Sequence, residues 1–374
     1  MEFKALFPPT YDGTCYLEIT HKCNYKCKHC YVNAPNDLEM SLDKIKQLAK
    51  ILEKYKFKKI VITGGEPLVV KHLGKAIEVL SKKMKVILVT NGVLIKERFE
   101  EVKNWNFSGA YISLDGLDED DCKNLRKRKG LKDTIEGINL LKSINKKMNI
   151  GIILTKYNAD KIEEMITKIE DLGVSGINLS LTQPFGRTLK NKDMIISPKE
   201  YSKKYLPKLI KLHKKHPKLH FESVLCFPDN MKNNSKKVKS LSLFEKYISG
   251  CAAGKKFIYI RPDGKVMPCG YITGDKELVK YLDNIFEKSL EEIYKGKMFK
   301  FFINRSWESV KGKCKACDHN IICKGGCPFR SYYIKKDIQA PDPWCLNNPL
   351  KNNYLRPIGV NENNFEKTDK ILNF

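Results

Sequence analysis

The first half of the chain alternates between two hydrophobic rhythms. Short β-rich apolar runs at 15–20, 59–63, 85–90, 110–115, 149–155 and 176–182 predict six strands. Helical periods fall between most of them. The clearest opens at Ser41, a suitable N-cap, and sets Ile45, Leu48, Ile51, Leu52 and Tyr55 on one face. Others read at 131–146 and 160–172. Strands alternating with helices imply right-handed crossovers and a parallel sheet. The fold class is therefore α/β, either an incomplete (β/α) barrel or an open doubly wound sheet.

Unusual residues gather after the strands, where barrels carry their chemistry. Strand 1 leads into Cys23-Asn-Tyr-Lys-Cys27-Lys-His29-Cys30, and strand 2 ends in Thr63-Gly64-Gly65-Glu66-Pro67. Strand 3 ends in Thr90-Asn91-Gly92 and strand 4 in Ser113-Leu114-Asp115-Gly116. Four consecutive strands thus deliver polar or ligating groups to one rim. This placement favours a partial (β/α)6 barrel of the TIM type over residues 1–185. Beyond it, 186–250 reads as a Lys-rich helical bridge with a low-complexity stretch at 229–240, 251–350 as a cysteine-rich domain, and 351–374 as a polar tail.

The formal charge of +26 invites a nucleic-acid reading, since basic faces bind phosphate backbones. Only eight of the 69 cations are Arg, however, and nucleic-acid sites favour Arg for bidentate and stacked contacts. No specific nucleic-acid partner is expected, although acidic substrates would be attracted. No apolar run reaches the ~18 residues that span a bilayer, and the first residues lack a secretory signal, so a cytoplasmic location away from membranes is expected.

Thirteen cysteines in such a compartment suit metal ligation better than disulfides. A Cys-x3-Cys-x2-Cys loop supplies three thiolates, which leaves one iron of a [4Fe–4S] cluster open to a small molecule. A closed zinc site with His21 or His29 as fourth ligand stays open on the triad alone. In the last third, Cys251 is followed by Gly264 and Cys269, then by Cys314-x2-Cys317-x5-Cys323-x3-Cys327, then by Cys345. Seven thiolates exceed the need of one cluster, and two zinc ribbons are the structural alternative. Cys15, Cys122 and Cys226 read as ordinary buried thiols.

Taken together, the CxxxCxxC loop, Gly-Gly-Glu-Pro, Thr-Asn-Gly and Ser-Leu-Asp-Gly resemble a radical SAM enzyme, and the seven-cysteine spacing is similar to the SPASM domain. The resemblance implies an anaerobic oxidoreductase or maturase using S-adenosylmethionine and three [4Fe–4S] clusters. Cys23, Cys27 and Cys30 would hold the catalytic cluster, whose open iron chelates SAM for reductive cleavage to a 5′-deoxyadenosyl radical. Gly64, Gly65 and Glu66 would meet the methionine amino end, Asn91, Ser113 and Asp115 the ribose or methionine, and Arg126 the SAM carboxylate. His29 stands where relatives often carry an aromatic residue, and is expected beside the adenine. Cys314, Cys317, Cys323 and Cys345 would hold the distal auxiliary cluster, and Cys251, Cys269 and Cys327 the nearer one, leaving it a ligand short unless Cys226 completes it. Auxiliary clusters favour net oxidation, and Gln183-Pro-Phe-Gly-Arg187 has a form seen in relatives acting on peptides and tetrapyrroles. The substrate expected is a peptide or protein side chain, with a peptide-presenting partner and a reductant such as flavodoxin or ferredoxin. The alternative is a carboxylated cofactor precursor; a non-catalytic cluster protein binding nucleic acid is a distant third.

Overall fold

The computed structural model describes residues 13–32, 37–216, 219–222, 251–306, 308–317 and 323–345. The six expected strands form as β1 (Thr14–Thr20), β2 (Lys59–Gly64), β3 (Lys85–Thr90), β4 (Gly109–Ser113), β5 (Lys147–Leu154) and β6 (Gly176–Leu181). Each pairs in parallel with the next. Sequential neighbours throughout are the winding of a barrel, whereas a doubly wound sheet reverses its order at a switch point. Among the described residues the sheet does not close. It runs β7-β6-β5-β4-β3-β2-β1-β8-β9, with β7 (Leu219–Glu222) at one edge and the antiparallel pair β8 (Phe257–Ile260) and β9 (Val266–Met267) at the other.

Alternation along each strand sorts its residues between two faces. Leu17, Ile19, Ile60, Ile62, Val86, Leu88, Ile112, Ile150, Ile152, Ile177 and Leu179 pack outward against the helices in one continuous core. Ser41 caps α1 (Leu42–Lys54) by accepting from the Lys44 amide, and Ile45, Leu48 and Leu52 are the buried stripe of that helix. The opposite face lines a lumen and carries half-buried Tyr16, Tyr111, Ser113, Asn149, Gly151, Asn178, Ser180 and Tyr259.

The cysteine-rich segment joins this sheet rather than standing apart, because β8 pairs in parallel with β1. A second core of Phe185, Met267, Ile272, Phe302, Phe329 and Tyr332 stitches it to the loop after β6. The helix Leu206–Lys215 lies in the expected bridge. The low-complexity stretch, Cys226 and the tail after Cys345 fall outside the described residues. No helix among the described residues is long and apolar enough to cross a membrane.

Candidate active site

The cysteine loop leaves the top of β1 and is held by its neighbours' backbones. Gly65 donates to the Thr20 carbonyl at 2.7 Å and Glu66 to that of Lys22 at 2.9 Å. A Cβ on Gly64 would sit 2.2 Å from the Thr20 oxygen, and one on Gly65 2.0 Å from the Lys22 oxygen. Only glycines allow this approach. Farther along, Lys28 donates to the Leu125 carbonyl at 2.8 Å and Arg187 to that of Cys30 at 3.0 Å. Side chains add to the frame: the Asn91 amide donates to Asn24 Oδ1 at 2.7 Å, and the Tyr25 N–H donates to Cys23 Sγ at 3.3 Å. Gly65→Ala is expected to push the loop off this frame, at about 1–3 kcal/mol for an overpacked site, and to lower iron retained after reconstitution. Unchanged melting temperature and iron content would show that the approach is dispensable.

The three thiols lie within electrostatic reach of one another. Burial pushes the Cys27 thiol up to about 12, with neighbouring Cys30 and Cys23 adding to the rise against Arg126. Such a thiol stays protonated near neutrality until a metal displaces the proton. Among the described residues, no three His, Cys, Asp or Glu side chains converge tightly enough for a single ion.

Glu66, at the turn after β2, is 1% exposed. Its Oε1 accepts from the Leu68 amide at 3.0 Å and Thr90 Oγ1 at 2.7 Å, and its Oε2 from the Asn91 amide at 2.8 Å. A carboxylate has about four acceptor positions, so one remains on Oε2. Burial raises its pKa against those three donors. Asp115, beyond β4, is fully buried and is engaged by ionisable side chains. Arg126 Nη2 reaches its Oδ2 at 2.7 Å, His29 Nε2 the same oxygen at 3.2 Å, and the Ile153 amide its Oδ1 at 2.8 Å. Its visible work is to position Arg126 and His29. Burial holds the His29 pKa below the usual imidazole range, although Asp115 opposes this. Ser113 ends β4 on the lumen face.

The cysteines of the last third fall into two groups. Burial and then Cys251 and Cys327 raise the Cys269 thiol pKa. Burial and then Cys345, Cys323 and Cys317 push Cys314 up to about 11. Cys269 thus feels Cys251 and Cys327, and Cys314 feels Cys317, Cys323 and Cys345.

Two family models match the chain. One, the radical SAM superfamily, spans residues 17–169, and the other, SPASM, an iron–sulfur cluster-binding domain, spans 251–318. The chain is a radical SAM enzyme with a SPASM domain. It is 27% identical to an AdoMet-dependent heme synthase of Nitratidesulfovibrio vulgaris, over 91% of this chain and 95% of that one. It is also 27% identical to the antilisterial bacteriocin subtilosin biosynthesis protein AlbA of Bacillus subtilis, over 87% of this chain and 67% of AlbA. Among solved structures, Streptococcus suis SuiB bound to precursor peptide SuiA shares the fold, with a TM-score of 0.71, 17% identity, and coverage of 90% of this chain and 76% of SuiB.

Radical SAM membership implies SAM and iron–sulfur clusters, and the rim fits such guests. Asn24 Nδ2, His29 Nδ1, Arg126 Nε and Arg187 Nε are buried without a partner. Buried polar atoms are rarely left so, and all four belong to the cysteine loop or to residues packed on it. Arg187 was noted in sequence only as part of a motif; its backbone contact with Cys30 places it here. Sequence reading missed Asn24 and a buried cluster below the loop. There Glu18 Oε2 accepts from His21 Nε2 at 3.0 Å and from Thr273 Oγ1 at 2.5 Å, tying β1 to the SPASM segment. A carboxylate in the middle of an otherwise apolar strand was the available signal.

Proposed function

We propose that this radical SAM enzyme oxidatively modifies a peptide or protein side chain bound in the barrel lumen. In this reading Cys23, Cys27 and Cys30 hold the catalytic [4Fe–4S] cluster. Glu66 takes the SAM amino group on its remaining acceptor position, Arg126 the carboxylate, and Asn91, Ser113 and His29 the nucleoside side. The seven SPASM cysteines hold two auxiliary clusters in the three-plus-four grouping, and a flavodoxin- or ferredoxin-type protein supplies electrons. When bound, these groups supply a 5′-deoxyadenosyl radical for hydrogen-atom abstraction and an acceptor for the electron left behind. The protein's own part is to fix the loop, keep Arg126 aligned through Asp115, and present the substrate to the rim.

The observation that carries the substrate class is the chemistry of the lumen. On β1 to β6 and β8, inward positions above the N-terminal rim are aromatic, amide, hydroxyl, small or aliphatic (Val61, Ile87, Val89 and Ile153), with Glu18 the charged exception; Lys59, Lys85 and Lys147 sit at the strand starts. A surface of phenols, amides and aliphatic groups suits the uncharged backbone and apolar side chains of a peptide, while a polycarboxylate needs cations. The lumen is also roomy, because a Cβ on Gly151 would meet nothing within 4 Å. A carboxylated tetrapyrrole precursor is the second reading, favoured by the near full-length alignment with the heme synthase.

The deciding test is 5′-deoxyadenosine release by anaerobically reconstituted, reduced protein, with peptide and small-molecule fractions of its native cell extract added separately. Stimulation by the peptide fraction is expected, and stimulation by the small-molecule fraction alone would transfer the assignment to the second reading. Gly151→Trp fills open space rather than displacing backbone. It is expected to leave basal SAM cleavage intact and abolish the stimulation; retained stimulation would place the substrate elsewhere.

A further inference from the structure

Arg305 is a buried cation without a carboxylate of its own. The residue is 4% exposed. Its Nε donates to the Lys324 carbonyl and its Nη1 to the Ile338 carbonyl, each at 3.1 Å, while Nη2 has no partner. The acid that acts on it, Asp342, is already clamped by Arg330. Burying a charge costs several kcal/mol unless an opposite charge accompanies it.

The surroundings identify that missing charge. Arg305 is held by the turn Cys323-Lys324-Gly325-Gly326-Cys327, in which Lys324, Gly325 and Gly326 take positive φ values of 50°, 80° and 72°. A Cβ on Gly325 would lie 3.1 Å from Nη2, so the turn closes over the guanidinium. One end of the turn is Cys323 of the four-thiol group, and the other is Cys327 of the three-thiol group. Burial lowers the Arg305 pKa, and Cys251, Cys327 and Cys314, drawn from both groups, pull it back. Thiolate-ligated clusters are anionic, and their potentials respond to nearby charge and hydrogen bonds.

We propose that Arg305 is the positive charge shared by the two auxiliary clusters, and that it holds both at a higher reduction potential than their thiolates alone would give. A fixed cation stabilises the more negative, reduced form of each, so the residue favours electron uptake. It touches no substrate and acts as a positioning and tuning residue. The proposal rests on the cluster assignment above.

Two variants of the reconstituted full chain separate charge from packing: R305Q keeps hydrogen-bond donors without charge, and R305K keeps the charge. Iron and sulfide per chain are counted first, and each cluster is then titrated electrochemically with EPR detection. In R305Q the reduced-to-oxidised ratio of both auxiliary clusters is expected to fall about tenfold at fixed potential, equivalent to about 59 mV for one electron. R305K and the catalytic cluster should stay with the parent. R305Q with full iron and unshifted potentials would overturn the proposal. Equal loss of auxiliary iron from both variants would also overturn it and make Arg305 a clamp. A parent lacking auxiliary iron would instead fail the cluster assignment, and the proposal with it.

Discussion

Arg330→Met is expected to destabilise the protein by about 3–5 kcal/mol, the range for removing one partner of a buried ion pair. Arg330 is fully buried. Its Nε donates to Asp342 Oδ1 at 2.9 Å, its Nη2 to Asp342 Oδ2, and its Nη1 to Gln183 Oε1 at 2.8 Å. The guanidinium also lies over the Trp344 ring, 4.8 Å from its centroid. Asp342 in turn accepts from the Cys327 and Trp344 amides at 2.8 and 2.9 Å, and its carbonyl accepts from the Cys345 amide at 3.0 Å. One ion pair therefore fixes the backbone at Cys327 and Cys345 and ties both to the loop after β6. Methionine conserves much of the volume but strands the carboxylate. Denaturant unfolding of Arg330→Met should show the loss, and adding Asp342→Asn should recover part of it. A loss below about 1 kcal/mol, the scale of an exposed pair, would mean that water reaches the site.

The parts of this fold legible in sequence were those set by local periodicity. β1 to β6 and α1 announced themselves because one face of each is apolar at the right spacing, and Ser41 carries the cap expected of it. β7 and β8 did not, since four residues are too few to display a period and both owe their place to a neighbour's edge. Choosing between barrel and open sheet from the rim residues gave the right architecture, which strand order alone makes certain. The site divides in the same way. The cysteines and the Gly-Gly-Glu turn stand close together in sequence. The contacts that organise them do not: Glu18 meets Thr273 across 255 positions and Gln183 meets Arg330 across 147. His29 shows the limit most clearly, because its partner Asp115 stands on a different strand's loop and no spacing links the two.

Cys27→Ala is expected to remove one cluster's iron and to take SAM cleavage below detection, while Cys122→Ala keeps both. The contrast is informative because both thiols act on Arg126 and both are raised by burial, Cys122 to about 11. Proximity to the site does not make a ligand. Cys122 belongs to the helix Glu119–Arg126 and is buried beneath it, whereas Cys27 shares a loop with two further thiols whose charge it feels. Loss of an outer partner costs a metal site about 10–100-fold in affinity or activity, and loss of one of three protein ligands must exceed that. Iron counting, EPR of the reduced protein and 5′-deoxyadenosine release, run on both variants, read the difference directly. Parent-level iron and SAM cleavage in Cys27→Ala would remove Cys27 from the ligand set, and loss in Cys122→Ala would bring that thiol into it.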